Sequence, residues 1–279
     1  MRARHISAGA DPADESRPSR SLGVWPSLLA ALLLIGLSLL TSNLIRAKEV
    51  GFTLLDHGAK RGLWQDGTVR GLALPPELRA SLRSALMQNQ LEVAPFVASL
   101  VGWRENLTGK KKPEERFHLL SPVQTAIDEP RPTFRWTLDK KATTYCLTIA
   151  PKEGETPFAK VYLPHDHDHW LTMKPLVRGE DYLWQVNSMR HGAVSATAPA
   201  PPLSGARFHV LSEAESAQLA RTKSEVGPSH LGLALAYARA GLIDQAESEI
   251  AALQKENPAS PIPSRLRTAL QRATPPTSP

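Results

Sequence analysis

Cysteine is the scarcest functional residue in this sequence, because Cys146 is the only one among 279 residues. A single thiol excludes an intramolecular disulfide framework and a zinc site built from cysteines. The chain must therefore fold on its apolar core alone. Cys146 itself stands between Tyr145 and Leu147 and is predicted to be a small packed residue rather than a reactive thiol, since free cysteines are often buried.

The sequence also lacks the short motifs that mark common catalytic and nucleotide-binding sites. It contains no G-x-S-x-G, no P-loop and no G-x-G-x-x-G. The adjacent acids Asp128 and Glu129 precede Pro130 and are predicted to lie in a solvated turn. We therefore expect a protein that is not an enzyme and that uses no cofactor.

Concentrated positive charge is missing as well, although the net charge is +6. A nucleic-acid binder usually gathers its basic residues on one face or in one tract, and no segment here does so. The short run Lys110–Lys112 is interpreted as part of a solvated linker. We expect no nucleic-acid partner.

One long apolar run is present, at residues 21–45, without a charged residue and flanked by Arg20 and Arg46. A helix of this length would reach roughly 37 Å, which is enough to cross a hydrocarbon core of ~30 Å. We expect a transmembrane helix that contacts the lipid bilayer. The alternative is a cleaved secretory signal, which the lack of a clean A-x-A site disfavours. Basic residues balance across the two ends, so charge alone leaves the orientation open.

Changes in composition and periodicity along the chain predict an α+β multidomain protein. The predicted segments are a disordered cytoplasmic tail (1–20), a single transmembrane helix (21–45), a small αβ membrane-proximal region that acts as a spacer (46–103), a linker (104–116), an antiparallel β-sandwich (117–211), a helical region that contains a hairpin (212–273) and a disordered tail (274–279).

The membrane-proximal region, which could be a spacer or a docking surface, carries two short strand patterns and two helix patterns, the second helix at residues 92–102. Apolar residues alternate over 50–54, which predicts a strand, a second strand returns through Trp64, and Asp66–Gly67 is interpreted as the turn of a hairpin. The four-residue spacing of Leu78, Leu82 and Leu86 predicts a helix with one apolar stripe.

Residues 117–211 alternate apolar and polar side chains with the period of strands. Trp136 in FRWTL, and the spacing of Leu176, Gly179, Tyr182 and Val186 in LVRGEDYLWQV, resemble a fibronectin type III or related immunoglobulin-like domain. The resemblance implies a β-sandwich in which the tyrosine turns a corner between the sheets. It also implies a domain that binds partners or spaces other domains and carries no chemistry.

After Val210 the period becomes helical, and Ser212 with Glu215 forms a capping-box signature. The residues that follow resemble one tetratricopeptide repeat at Ala234, Tyr237, Gly241, Ala246, Ile250 and Pro258. The resemblance implies a helical hairpin with a protein-binding groove. The candidate partner-binding residues are Leu233, Tyr237 and Ile250.

The order of these segments resembles the extracytoplasmic half of bacterial zinc-finger anti-sigma-like membrane proteins. That resemblance implies a single-pass protein of the bacterial inner membrane whose C-terminal region lies outside the cytoplasm. The zinc module of that family is missing, because residues 1–20 contain His5 and no cysteine.

A cluster of histidines is the one feature that suggests metal chemistry. If the stretch is extended, His165, His167 and His169 point to one side and could hold a zinc or copper ion. A solvated polar loop is the competing interpretation, and the prediction is that no metal is bound.

Three functions follow from these patterns. The first is a non-enzymatic, membrane-anchored envelope protein whose sandwich and helical repeat mediate protein–protein interaction or scaffolding. The second is a signal-transducing, anti-sigma-like regulator. The third is a metal-binding protein that uses the histidine cluster.

Overall fold

The computed structural model describes residues 50–101, 116–154, 156–201 and 205–274. Several predicted segments lie outside these residues: the tail 1–20, the span 21–45, nearly all of the linker 104–116 and nearly all of the tail 274–279.

The described helices are too short and too polar to cross a bilayer. The longest of them have 14 residues, which corresponds to about 21 Å against a hydrocarbon core of ~30 Å. No helix in the described part of the chain is long and apolar enough for a span. The predicted fold class is therefore corrected to an α+β chain of sheets and helices, with no transmembrane helix among its described elements.

The elements fall into three groups along the chain: a hairpin with two helices, then strands, then helices. The first group is β1 (Val50–Asp56), β2 (Ala59–Trp64), α1 (Pro76–Gln88) and α2 (Pro95–Val101). The strands are β3 (Leu119–Ser121), β4 (Thr125–Ile127), β5 (Thr133–Trp136), β6 (Thr144–Pro151), β7 (Ala159–Pro164), β8 (His169–Leu171), β9 (Asp181–Arg190), β10 (Ala193–Ala198) and β11 (Ala206–Val210). The last helices are α3 (Glu213–Val226), α4 (His230–Arg239), α5 (Ile243–Glu256) and α6 (Pro261–Ala273).

The first hairpin turns earlier than the sequence predicts. His57 and Gly58, both with positive φ, join β1 to β2, whereas Asp66–Gly67 follows β2. The predicted turn at Asp66–Gly67 is present as a second reversal of the chain: Gly67 N donates to Trp64 O at 3.1 Å, Trp64 N donates to Thr68 O at 2.9 Å, and an antiparallel bridge joins Leu63 to Val69. The Asp66 carboxylate accepts a hydrogen bond from Thr68 N at 2.8 Å within this turn. The observed register buries both Leu54 and Leu63.

Residues 117–211 form a β-sandwich-like region followed by helices, as predicted. One sheet has the order β4-β11-β9-β6-β7, with β10 paired to β9, and it faces the three-stranded sheet β3-β5-β8. Most neighbours are antiparallel, but β4 and β11 are parallel. The buried core includes Phe117, Phe134, Trp136, Tyr145, Tyr182, Trp184 and Phe208.

Tyr182 forms the corner that the sequence pattern indicates. Its hydroxyl accepts a hydrogen bond from Val177 N at 2.9 Å, which fixes the chain five residues upstream as it enters β9. Burial raises the pKa of the Tyr182 hydroxyl, because the charged phenolate is disfavoured away from water.

The first hairpin and α1 share one hydrophobic core with α3–α6, and we call this assembly the helical lobe. The region predicted as a separate spacer is therefore packed against the C-terminal helices. Asn257, at the end of α5, binds the backbone of Leu55 on β1 through both of its side-chain atoms: its Oδ1 accepts from Leu55 N at 2.7 Å and its Nδ2 donates to Leu55 O at 2.6 Å.

One backbone–backbone hydrogen bond and one to a threonine hydroxyl join the sandwich to the helical lobe at the turn between α4 and α5. Ala126 N donates to Gly241 O at 2.7 Å, and Ile243 N donates to Thr125 Oγ1 at 2.9 Å. Gly241 has a φ of +77°, a conformation that glycine adopts at little cost. These contacts set the relative position of the two regions.

Helix α2 completes the junction. The Phe96 ring stacks on the His209 imidazole at a centroid distance of 4.3 Å. His209 Nδ1 lies 2.8 Å from Asp181 Oδ1, and its Nε2 lies 3.4 Å from Glu215 Oε2. Burial opposes ionisation of Glu215, but hydrogen bonds from Ser212 and from His209 more than offset it and lower the pKa of this carboxyl.

Candidate interaction cleft

A cleft of about 520 Å³ lies where the sandwich meets the helical lobe, and we call it the interaction cleft. The loop between β4 and β5, the turn before β9 and helices α3–α5 all contribute to it. The side chains that matter most for its chemistry are Ile127, Arg131, Arg178, Leu219, Lys223 and Tyr237.

The capping box of α3 holds one wall of the interaction cleft in place. Ser212 Oγ accepts from Glu215 N at 3.3 Å, and Glu215 Oε2 accepts from Ser212 N at 2.8 Å. The predicted capping box is therefore confirmed. Because the box fixes where α3 begins, it also fixes the positions of Leu219 and Lys223 one and a half to three turns later.

Arg178 ties the sandwich wall to the start of α3. Its guanidinium lies 3.4 Å from Asp128 Oδ1 and 3.0 Å from Glu213 Oε1, and it donates to Leu211 O at 3.1 Å. Two nitrogens of the guanidinium, Nη1 and Nε, thus contact groups of the protein itself.

Tyr237 and Lys223 form the helical wall of the interaction cleft. The Lys223 ammonium lies 5.4 Å from the centroid of the half-buried Tyr237 ring, a distance typical of a cation–π contact. The pair presents an aromatic face and a positive charge to the same space.

The three predicted partner-binding residues have different environments. Tyr237 lines the interaction cleft, and Leu233 is partly buried against the helical-lobe core. Ile250 is only 1 % exposed, because β1 and α6 supply a core around α5, so its side chain lies inside the helical lobe and not on a surface. Arg131, Arg178 and Lys223 were missed as site residues, since no local pattern links a sandwich loop to a distant helix.

The histidine cluster does not form the single face that an extended stretch would give. His165 and Asp166 lie in a turn, and only His169 belongs to a strand. His167 Nδ1 lies 3.1 Å from Asp166 Oδ1, and His169 Nδ1 lies 2.6 Å from Asp168 Oδ1. The turn breaks the two-residue periodicity on which the metal hypothesis depends.

The neighbouring histidines lower the pKa values of the two aspartates in this stretch. A hydrogen bond from His167 lowers the pKa of Asp166, and one from His169 lowers the pKa of Asp168. Among the residues that the structure describes, no three His, Cys, Asp or Glu side chains are grouped so that they could hold a metal ion.

A second cavity, of about 420 Å³, lies on the other side of α3, and Leu219 lines both spaces. Its lining is mainly apolar, and Arg239 at its edge is paired with Glu92 at 2.6 Å. Glu215, its other charged lining residue, is held by Ser212 and His209. The charges of this cavity are therefore used within the protein.

The comparisons with known proteins add little to this geometry. No family model and no curated protein sequence matches the chain. Among solved structures, it is similar to the fn3 domain of the human collagen alpha-1(XX) chain, at 20% sequence identity and a TM-score of 0.27. That likeness covers 38% of this chain and 94% of the collagen domain, and at this TM-score it supports no conclusion about function.

Two of the predicted relationships gain no support from the same comparisons: the anti-sigma-like resemblance and the tetratricopeptide repeat. What the described residues contain is a β-sandwich-like region that strand pairing defines, followed by helices.

Proposed function

We propose that this chain is a non-enzymatic protein-interaction protein that receives a segment of a partner in the interaction cleft. The observation that supports the proposal is the Tyr237 ring, which faces an open cleft at the meeting point of two separately packed regions. Binding sites occur preferentially at such boundaries. Tyrosine is among the residues that contribute most to interface energies.

The junction supports this proposal because it holds the two walls together before a partner arrives. Ser121 Oγ donates to Asp244 Oδ2 at 3.0 Å beside the backbone contacts of Ala126 with Gly241. A site that is ordered in advance loses less conformational entropy on binding. The walls of the cleft therefore need little rearrangement to accept an extended segment.

The test is a selection of random peptides on the immobilised full-length protein. The affinities of individual selected peptides are then measured. We expect peptides whose affinity falls about tenfold or more in Tyr237→Ala, since hot-spot truncations cost roughly 2 kcal/mol. Tyr162→Ala is the matched control, because Tyr162 is 59% exposed on β7 and does not line the cleft.

The two variants separate the outcomes. Peptides that lose affinity in Tyr237→Ala and keep it in Tyr162→Ala support binding in the interaction cleft. If the selection yields no peptide that distinguishes the two variants, the proposed function is wrong.

A further inference from the structure

The cations of the interaction cleft differ in whether they are already paired. Arg178 is held by Asp128 and Glu213 at 3.4 and 3.0 Å. In the described part of the chain, neither the Lys223 ammonium nor the Arg131 guanidinium has a carboxylate within salt-bridge distance. Two positive groups in the lining are therefore left for a bound molecule.

The acidic residues of the cleft do not balance these cations. Asp128 is paired with Arg178. Glu129 Oε1 accepts a hydrogen bond from the backbone N–H of Arg131 at 3.2 Å, which directs that carboxylate to its own loop. The lining contains three basic and two acidic side chains, and one of the acidic ones is already neutralised.

Apolar surface lies directly beside the free cation of α3. The Lys223 ammonium lies 5.4 Å from the centroid of the half-buried Tyr237 ring, and Leu219 stands one helical turn before Lys223. Leu219, Tyr237 and Lys223 all line the cleft. A ligand that places an apolar group on this wall therefore brings its neighbouring atoms close to the ammonium group.

We propose that the interaction cleft selects a protein segment in which Asp or Glu carboxylates flank an apolar side chain. This inference rests on the proposed function and specifies the chemistry of the partner. Carboxylates would pair with Lys223 and Arg131, while the apolar side chain packs on Leu219 and Tyr237. Because both cations are exposed, their attraction depends on ionic strength and acts on association rate as well as affinity.

The test uses three labelled synthetic peptides in which a central leucine is flanked on both sides by glutamate, by glutamine or by lysine. Their affinities for the full-length protein are measured by fluorescence anisotropy at low and at high ionic strength. We expect the glutamate peptide to bind about tenfold more tightly than the lysine peptide at low ionic strength, since each exposed pair contributes up to about fivefold. The difference should shrink at high ionic strength.

Charge variants locate the effect. Lys223→Gln should lower the affinity for the glutamate peptide about two- to fivefold. Lys223→Glu should lower that affinity further and should raise the affinity for the lysine peptide. Arg131→Gln should weaken the glutamate peptide by a similar factor. Lys255→Glu is the matched control, because Lys255 is an exposed lysine on α5 outside the cleft, and it should leave the affinities unchanged.

The outcomes distinguish this inference from the proposed function. If selected peptides depend on Tyr237 but show no preference for carboxylates, the cleft binds peptides and the acidic inference is wrong. If glutamate and lysine peptides bind equally, or if Lys223→Glu and Lys255→Glu have equal effects, the inference is overturned as well.

Discussion

The hydrophobic cores of the sandwich and of the helical lobe differ in their side-chain types and in how far apart their residues lie in the sequence. The sandwich core is rich in aromatic side chains and comes from a single stretch, residues 117–210. The fully buried core of the helical lobe is aliphatic. Apart from Ala126 of β4, it joins residues 54–91 to residues 211–270 across the sandwich sequence. Stability of the sandwich is thus local in sequence, whereas stability of the helical lobe depends on two distant segments meeting.

Among the described residues, one aspartate is buried in the helical lobe and one in the sandwich, and their roles differ as well. Asp56, which is fully buried, accepts from Ser229 Oγ at 2.5 Å and lies 3.0 Å from Arg61 Nε. It links β1 to the start of α4, 173 residues away. Asp139 instead makes its contacts within the sandwich, where its Oδ2 accepts a hydrogen bond from Ser188 Oγ of β9 at 2.6 Å.

Asp56→Ala should have the largest effect on stability. Removing one partner of a buried ion pair costs about 3–5 kcal/mol, and here the change also removes an acceptor for Ser229 and Leu231 at the start of α4. Denaturant unfolding followed by the helical circular dichroism signal should show a large shift. The fluorescence transition of the buried sandwich tryptophans Trp136 and Trp184 should shift less.

The control for this change is Asp66→Ala, at an exposed aspartate of the same lobe. It removes only the local acceptor for Thr68 N and should cost about 0.5–1.5 kcal/mol. If Asp56→Ala were no more destabilising than Asp66→Ala, the distant link would not matter for the helical lobe.

Gly241→Ala should cause the next largest loss of stability, because Gly241 lies at the contact between the sandwich and the helical lobe. A Cβ at this position would lie 2.7 Å from Phe96 Cζ and 3.1 Å from Val97 Cγ2, on a backbone with a φ of +77°. We expect a loss of about 2–4 kcal/mol from strain and overpacking together, measured by thermal and denaturant unfolding.

Gly192→Ala separates the two causes. Gly192 lies in the β9–β10 turn with a φ of +81° and has no atom within 4 Å of the site of a Cβ. This variant should lose only about 1–2 kcal/mol, the cost of the left-handed backbone. Equal losses in both glycine variants would mean that crowding by Phe96 contributes nothing at the junction.

Asp139→Asn should have a smaller effect than Asp56→Ala and Gly241→Ala, and that effect should depend on pH. Burial disfavours the charged form of Asp139, but hydrogen bonds from Ser188 Oγ and Lys141 N and the charge of Arg116 outweigh it and lower the pKa of the carboxyl. At neutral pH the variant should lose about 1–2 kcal/mol.

The sign of the pH dependence follows from the lowered pKa. Because the folded pKa lies below the unfolded value of about 3.9, the stabilisation is present above about pH 4 and is lost as pH falls through the folded pKa. Urea midpoints of the wild type and Asp139→Asn should therefore converge as the pH falls through the lowered pKa of Asp139. A difference that stays constant from neutral to acid pH would contradict this role.

Sequence patterns predicted the sandwich better than the helical lobe, and the physical reason is the range of the interactions. Phe134 and Trp136 alternate along one strand, and Tyr182 follows Gly179 in a short run, so both features are visible within a few residues. In the helical lobe, the sequence predicted the turn at Asp66–Gly67. It did not predict the turn at His57–Gly58, which joins β1 to β2 and places Leu54 and Leu63 in a shared core.

The candidate site was predicted only in part. Tyr237 was named from its helical spacing and does line the interaction cleft. Ile250 was named from the same spacing, yet it is buried, because a repeat pattern does not tell which helix face another segment will cover. Arg131 and Lys223 come from a sandwich loop and from α3, and nothing in either local sequence indicates the other.

The sequence by itself determined the features that neighbouring residues decide: the alternation of the strands, the corner at Tyr182 and the capping box of Ser212 with Glu215. Such features arise from backbone periodicity and from hydrogen bonds within a few residues. Only the tertiary structure decided that the first hairpin packs on the last helices and that a cleft opens between the sandwich and the helical lobe. Those outcomes depend on the fit of surfaces that lie far apart in the chain, and apolar burial favours contact without specifying which surfaces meet.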